Sequence, residues 1–252
     1  MRYYLHSSKR SKKKKFRVGM ILLGSIFLLG SFLMVIYFSP IFTFRKIKVS
    51  GQQDISVTAI QSFVKENFSY RKSHSLFLSL QPLKKNILHR FPEIRTMVIH
   101  RQLPHTLLIS LTEREPFLEA RFNNLGFLID QNGFAFKQIQ SNHLDIPQLE
   151  INTNNFQKPA VGQFFISHVL WGKIQPILEH FWKEKEAFHF QEAQLVSSKR
   201  LNVVLSPGPE IYFNLEQDRP SSLLELEALR QQKDFFDLKY IDLRFSKRAF
   251  IQ

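Results

Sequence analysis

Residues Val18 to Phe38 read VGMILLGSIFLLGSFLMVIYF, 21 consecutive positions without a charge, and the 17 residues before them carry eight basic and no acidic side chains. About 20 apolar residues at 1.5 Å rise cross the roughly 30 Å hydrocarbon core of a bilayer, so this segment is a transmembrane helix. The basic residues Arg2, Lys9, Arg10, Lys12, Lys13, Lys14, Lys15 and Arg17 all lie on one flank, which keeps that flank cytoplasmic. A cleaved signal peptide would have an apolar region of about 7–15 residues followed by a small-residue cleavage site. Here Tyr37, Phe38, Ser39 and Pro40 follow instead, with Tyr37 and Phe38 suited to an interfacial aromatic belt. The chain therefore divides into a basic cytoplasmic tail (1–17), a membrane span (18–38) and an exported remainder of 214 residues.

The formal charge of +14 does not amount to a nucleic-acid footprint, because it is concentrated at the membrane. Beyond the span, 27 basic residues face 21 acidic ones, an ordinary balance for a large exported surface. The run of basic residues orients the anchor and meets anionic headgroups. The chain contains no cysteine, which excludes disulfides, thiol catalysis, cysteine-ligated zinc and iron–sulfur clusters. An exported part of this size must be held by core burial, to which 26 phenylalanines contribute.

Hydrophobic periodicity organises that part into two domains. Phe44–Val49 alternates apolar and basic residues and stops at Ser50 and Gly51, as a half-exposed strand ending in a turn does. A helix is expected after Ser56, carrying Val57, Ile60, Phe63, Val64 and Phe68 on one side, and a second over Gln81–His89 with Pro82 in its first turn. Ile94–Arg101 and Thr106–Glu113 read as a hairpin closed by Gln102, Leu103, Pro104 and His105. A βααββ unit over 42–114 results, with Val98, Leu107 and Ile109 expected on the buried sheet face and Arg101 and Arg114 expected as solvated strand-face charges.

The phrases FRKIKVSG, FPEIRTMVIHRQLPHTLLISLTEREP and LIDQNGFAF, in this order behind the span, resemble the bacterial division family FtsQ/DivIB. Phe44, Ile47, Val49, Gly51, Pro92, Ile94, Val98, Arg101, Leu103, Pro104, Thr106, Leu107, Ile109, Glu113, Arg114, Pro116, Asp130, Gly133 and Phe136 carry the resemblance. It implies a POTRA domain just outside the membrane. The chain departs from the family pattern at Ser73, His74 and Ser75, and at Asn152 to Asn155, where glycine is usual nearby.

From Pro116 to the end (115–252) the pattern is that of a mainly antiparallel β domain with flanking helices, which makes the overall class α+β. Strands are expected at Phe117–Phe122, Phe127–Asp130, Phe134–Lys137, Leu201–Leu205 and Glu210–Leu215, with turn chemistry at Asn123, Asn124, Asn132 and Gly133. Asp130 is expected to accept local backbone N–H bonds. Helices are expected at Ser167–Lys185, where Pro176 marks a kink or break, and at Pro220–Gln232. Phe235 and Phe236 read as core. Tyr240–Phe245 resembles the family's terminal strand, which implies that a segment of FtsB adds a strand there, with Lys199, Arg200, Tyr240, Arg244, Phe245, Lys247, Arg248 and Phe250 as the partner-binding residues. Lys247 and Arg248 replace smaller residues common in the family.

Catalytic constellations are not found. Ser69, Tyr70, Arg71 and Lys72 spell S-x-x-K without the companion motifs of penicillin-recognising enzymes. His100 and His105 flank the hairpin turn with no third ligand, and no phosphate-cradling glycine loop is present. The expectation is a non-catalytic scaffold without cofactor or metal, in the inner membrane with its bulk periplasmic. The resemblance implies that it links early division components to FtsB and FtsL and to septal peptidoglycan synthesis. A POTRA-type protein of outer-membrane protein traffic and a membrane-tethered wall-processing enzyme are the alternatives. A reporter active only outside the cytoplasm, fused after Gln252, is expected to be active; a stable but inactive fusion would reverse the topology.

Overall fold

The computed structural model describes residues 9–67, 79–140, 145–216, 221–232, 234–245 and 250–251. Helix α1 (Lys9–Phe38) contains the apolar span Val18–Phe38, of mean hydropathy 2.4, and none of that span is buried against protein. It is long and apolar enough to cross a membrane once.

The remaining elements fall in two compact units, one comprising residues up to Ile87 with Met97–Leu111, the other Leu88–Thr96 with Thr112–Gln252. β1 (Lys46–Ser50) and α2 (Val57–Asn67) lie in the first, as do most of α3 (Gln81–Arg90) and of the hairpin strands β2 (Ile94–Gln102) and β3 (Thr106–Glu113), whose residues 88–96 and 112–113 belong to the second; the order is the expected βααββ. The three strands lie in the order β1-β3-β2, with β1 parallel to β3. Ile60, Val64, Leu83, Ile87, Leu107 and Ile109 are buried and supply the unit's core. Gly51 sits at φ +85°, where a Cβ would lie 2.1 Å from the Leu111 carbonyl oxygen, so only glycine ends β1 this way. Ser73 to Phe77, and the S-x-x-K at Ser69, lie outside the described residues.

Val98 is not on the buried face. It is 51% exposed, whereas Ile94 and Met97 are buried. Met97 is buried and Ile99 half-buried on one phase of β2, while Thr96, Val98 and His100 on the other phase are exposed, so strict alternation puts Val98 on the outward face.

In the second unit, ten strands form one sheet. They are β4 (Leu118–Phe122), β5 (Leu125–Ile129), β6 (Phe134–Gln140), β7 (Gln148–Ile151), β8 (Gln163–Phe164), β9 (Phe190–Ser197), β10 (Arg200–Leu205), β11 (Glu210–Asn214), β12 (Tyr240–Asp242) and β13 (Phe250–Ile251). Their order is β13-β12-β11-β10-β9-β7-β4-β5-β6-β8, antiparallel except for the pairs β11/β12, β4/β7 and β7/β9. Register aligns Phe127, Ala120, Leu149, Ala193, Val203, Ile211 and Ile241 in one continuous row, and all seven are buried in the core.

Three helices add to this core: α4 (His168–Lys183), α5 (Lys185–Phe188) and α6 (Ser221–Arg230). The Ser167 hydroxyl caps α4 by accepting the Leu170 N–H at 3.3 Å. Helix α4 continues through Pro176, where a kink or break was expected. An interior proline costs about 3 kcal/mol. Trp171, Ile174, Ile177, Leu178 and Phe181 are buried from the same helix, at about 1.5–3 kcal/mol for each fully buried side chain, so packing outweighs the lost bond. Phe235 is buried and Phe236 is 37% exposed.

Lysine at position 109 would bury an unpaired charge, and Ile109→Lys is expected to lower stability by about 3 kcal/mol or more. Val98→Lys on the outward face is expected to change it by less than about 1 kcal/mol. Denaturant unfolding of the full chain in detergent measures both, and equal losses would invalidate the outward placement of Val98.

Candidate functional site

The face of the large sheet opposite the core carries the polar residues, and its register brings a second row into line. Arg121, Glu150, Gln194, Asn202, Tyr212 and Asp242 occupy successive strands, and Phe250 of β13 is paired with Asp242 at the end of that row. Strict alternation requires this: if Val203, Ile211 and Ile241 point to the core, their neighbours Asn202, Tyr212 and Asp242 point away. The row runs to the C-terminal edge, where Tyr240, Arg244, Phe245 and Phe250 of the sequence-predicted partner residues lie.

Tyr212 is the centre of this region. The Arg200 guanidinium lies 4.4 Å from its ring centroid and that of Arg244 at 5.6 Å, while Tyr240 stacks on it at 5.8 Å with an interplanar angle of 14°. Its hydroxyl donates to Glu210 Oε2 at 3.1 Å, and Asn202 Nδ2 donates to Glu210 Oε1 at 2.7 Å. Arg200 Nε in turn donates to Asn202 Oδ1 at 2.8 Å. Burial raises the Tyr212 phenol pKa, with the Glu210 charge and hydrogen bond acting in the same direction and the two arginines opposing them. The phenol thus stays protonated and keeps its donor role.

Arg244 is held by Asp242 in a fork: Nε donates to Oδ1 at 2.9 Å and Nη2 to Oδ2 at 2.6 Å, while the Arg244 backbone N–H reaches Oδ1 at 3.0 Å. Burial pushes the Asp242 carboxyl up, but the bonds from Arg244 and its charge together outweigh that, so the group sits below the usual carboxylate range. The same pairing raises Arg244. Phe245 follows, 54% exposed, with the Arg244 guanidinium 5.7 Å from its ring centroid.

The structure thus brings Arg200, Tyr240 and Arg244 together through Asp242, which the sequence placed in the terminal strand, and through Tyr212, Glu210 and Asn202, which it did not single out. The sequence signal for Tyr212 was an aromatic at a polar-phase position of the Glu210–Asn214 strand. Lys199 stands apart, on the turn before β10, where its ammonium meets Glu216 at 2.8 Å and the pair is well exposed. Lys247 and Arg248 lie outside the described residues. The expected strand Tyr240–Phe245 is only three residues long and is not itself the sheet edge: β13 pairs with it antiparallel, Ile241 opposite Ile251. Among the described residues β13 has no further strand beyond it.

At the other end of the unit, Arg114 is not a solvated strand-face charge. It forms an ion pair with Asp130, donates from Nε to the Pro92 carbonyl at 3.0 Å and lies 4.0 Å over the Phe134 ring. Asp130 Oδ1 accepts the backbone N–H groups of Asn132 at 2.8 Å and Phe134 at 3.0 Å, which is the turn chemistry expected of it. Among the described residues, no group of three or more His, Asp or Glu side chains is placed to hold a metal ion.

Residues 42–114 match the protein family described as POTRA domain, FtsQ-type. Over part of its length the chain is similar to FtsQ proteins. The chain is 31% identical over 100 residues to the Cell division protein FtsQ of Rickettsia typhi, an alignment covering 39% of this chain and 36% of that protein. It is 34% identical over 101 residues to the protein of that name in Rickettsia prowazekii, and 32% identical over 101 residues to that of Rickettsia felis, with the same shares. The matched segment thus spans about a third of the length of these relatives.

The Asp242–Arg244 pair makes stability pH-dependent in a defined direction. Because the folded carboxyl titrates below its unfolded value of about 3.9, its stabilisation is complete above that value and is lost as pH falls through the lower folded pKa. Asp242→Asn is expected to lower stability by about 1 kcal/mol at neutral pH, with the difference from the parent shrinking in acid. Urea unfolding of both proteins as a function of pH tests this, and a gap that stays constant into acid would contradict it.

Proposed function

We propose that this chain is a non-catalytic, single-pass division protein that gathers other division proteins at the membrane. Its basic tail is cytoplasmic, its span lies in the inner membrane and its two units are periplasmic. The FtsQ-type POTRA domain serves one set of division partners. The C-terminal sheet edge takes an exported segment of FtsB and, through it, FtsL, which positions septal peptidoglycan synthesis. The FtsQ name of the matched relatives and the basic flank of the span support this reading.

One observation carries the partner site. The sheet ends in a two-residue strand, Phe250–Ile251, paired on one side with β12, and the exposed Phe245 lies close before it in sequence. A backbone edge of this kind is a template for strand addition, in which main-chain bonds supply affinity and alternate side chains supply specificity. Arg200 and Arg244 are committed to Tyr212 and Asp242, so their role is to fix the edge. The groups offered to the partner are Phe245, Phe250 and the basic Lys247 and Arg248, which suit an acidic segment.

Deleting Ser246 to Gln252 from the full-length protein removes β13 while leaving the core row intact. Capture of the FtsB segment is expected to be lost, and Phe245→Lys is expected to weaken it at least tenfold with an unchanged thermal melt. Affinity that survives the deletion would show that β12, not the tail, is the edge a partner uses and would sink this site.

A further inference from the structure

A second surface feature, away from the C-terminal edge, lies within the same compact unit. It is an open cleft of about 560 Å³ whose lining includes Arg95, Phe134, Phe164, His168, Trp171 and Gln175. Its walls are fixed by contacts of their own. The Trp171 indole donates to the Gln131 carbonyl at 2.9 Å and packs edge-on against Phe117 and Phe165. Gly133, at φ +80°, has no room for a Cβ, which would sit 2.9 Å from the Trp171 ring. Phe134 is held under Arg114 and meets Phe164 edge to face at 5.5 Å, and His168 leans on Phe164 at 4.1 Å. A cleft with walls locked in this way binds without the cost of ordering them.

Its chemistry is one-sided. Asp130, which lines a neighbouring hollow, is already neutralised by Arg114 and by two backbone N–H groups, so it adds no free negative charge. Arg95 is exposed and has no ion pair among the described residues. The first residue of α4, His168, also lines the cleft, so the positive end of that helix adds to the field. Phe164 is 47% exposed at the same site, a large aromatic that water does not favour there. A free guanidinium next to an exposed ring matches a ligand that alternates a carboxylate with an apolar group. An open cleft of this kind suits a peptide rather than an enclosed small molecule.

We propose that this cleft binds an acidic segment of a partner protein, with a carboxylate of the segment on Arg95 and an apolar side chain against Phe164. Glu115 shares a neighbouring hollow of about 100 Å³ with Arg95 and competes for it. Removing that carboxylate therefore strengthens binding. This site is independent of the strand edge, and neither reading requires the other.

The chain has two tryptophans, so Trp182→Phe in the full-length, detergent-solubilised protein leaves Trp171 as a reporter inside the cleft. The probes are a capped Glu-Leu-Glu-Leu-Glu peptide and its Lys-Leu-Lys-Leu-Lys counterpart. The acidic peptide is expected to change Trp171 emission saturably, with an affinity that falls as salt rises, and the basic peptide is expected to have no effect. Arg95→Glu is expected to weaken binding at least tenfold, Phe164→Ala to weaken it, and Glu115→Gln to tighten it. Arg95, Phe164 and Glu115 all lie at the surface, and an unchanged thermal melt of each variant keeps the comparison free of unfolding. Equal response to the basic peptide, no saturable response to the acidic one, or undiminished affinity in Arg95→Glu would overturn the proposal.

Discussion

The inward row from Phe127 to Ile241 is the constraint on which the second unit depends. Side chains alternate strictly along a strand, so once these residues are committed to the core, every neighbour is committed to the other face. The place of Tyr212 on the outer surface is thus a consequence of the burial of Ile211 and Phe213. Helix α4 shows the strength of the commitment, since five buried side chains hold it continuous through Pro176.

The two arginines that organise this unit solve the same problem in different ways. Arg114 and Arg244 each meet an aspartate and an aromatic ring, yet Arg114 ties a β-turn and the Pro92 carbonyl into one network, while Arg244 fixes the stretch that follows β12. A guanidinium is suited to both because its planar fork satisfies a carboxylate while its face packs on a ring. In each case the ion pair is partly buried, so it specifies geometry more than it adds net stability.

Both ends of the ten-stranded sheet are two-residue strands, β8 and β13. Short edges limit uncontrolled pairing with other chains. A longer free edge at β12 would be a stronger but less selective template, and pairing by β13 leaves only a brief backbone edge whose selectivity rests on the side chains around it.

The sequence by itself determined the membrane span, the βααββ order, the hairpin, the Gly51 turn and the turn at Asp130. Each rests on local signals: a run of uncharged residues, period 2 or 3.6, or a residue type that its backbone requires. Strands β7 and β9 were not legible, because β9 buries only Ala193 and Leu195 of its eight residues and β7 is four residues long. Their strand character comes from pairing with each other and with β4 and β10. The outward turn of Val98, the burial of Arg114 and the gathering of Arg200, Tyr212, Tyr240 and Arg244 were likewise decided by tertiary structure. Alternation in a sequence states that a strand has two faces; only the register of its neighbours decides which face is covered and which residues of distant strands become partners.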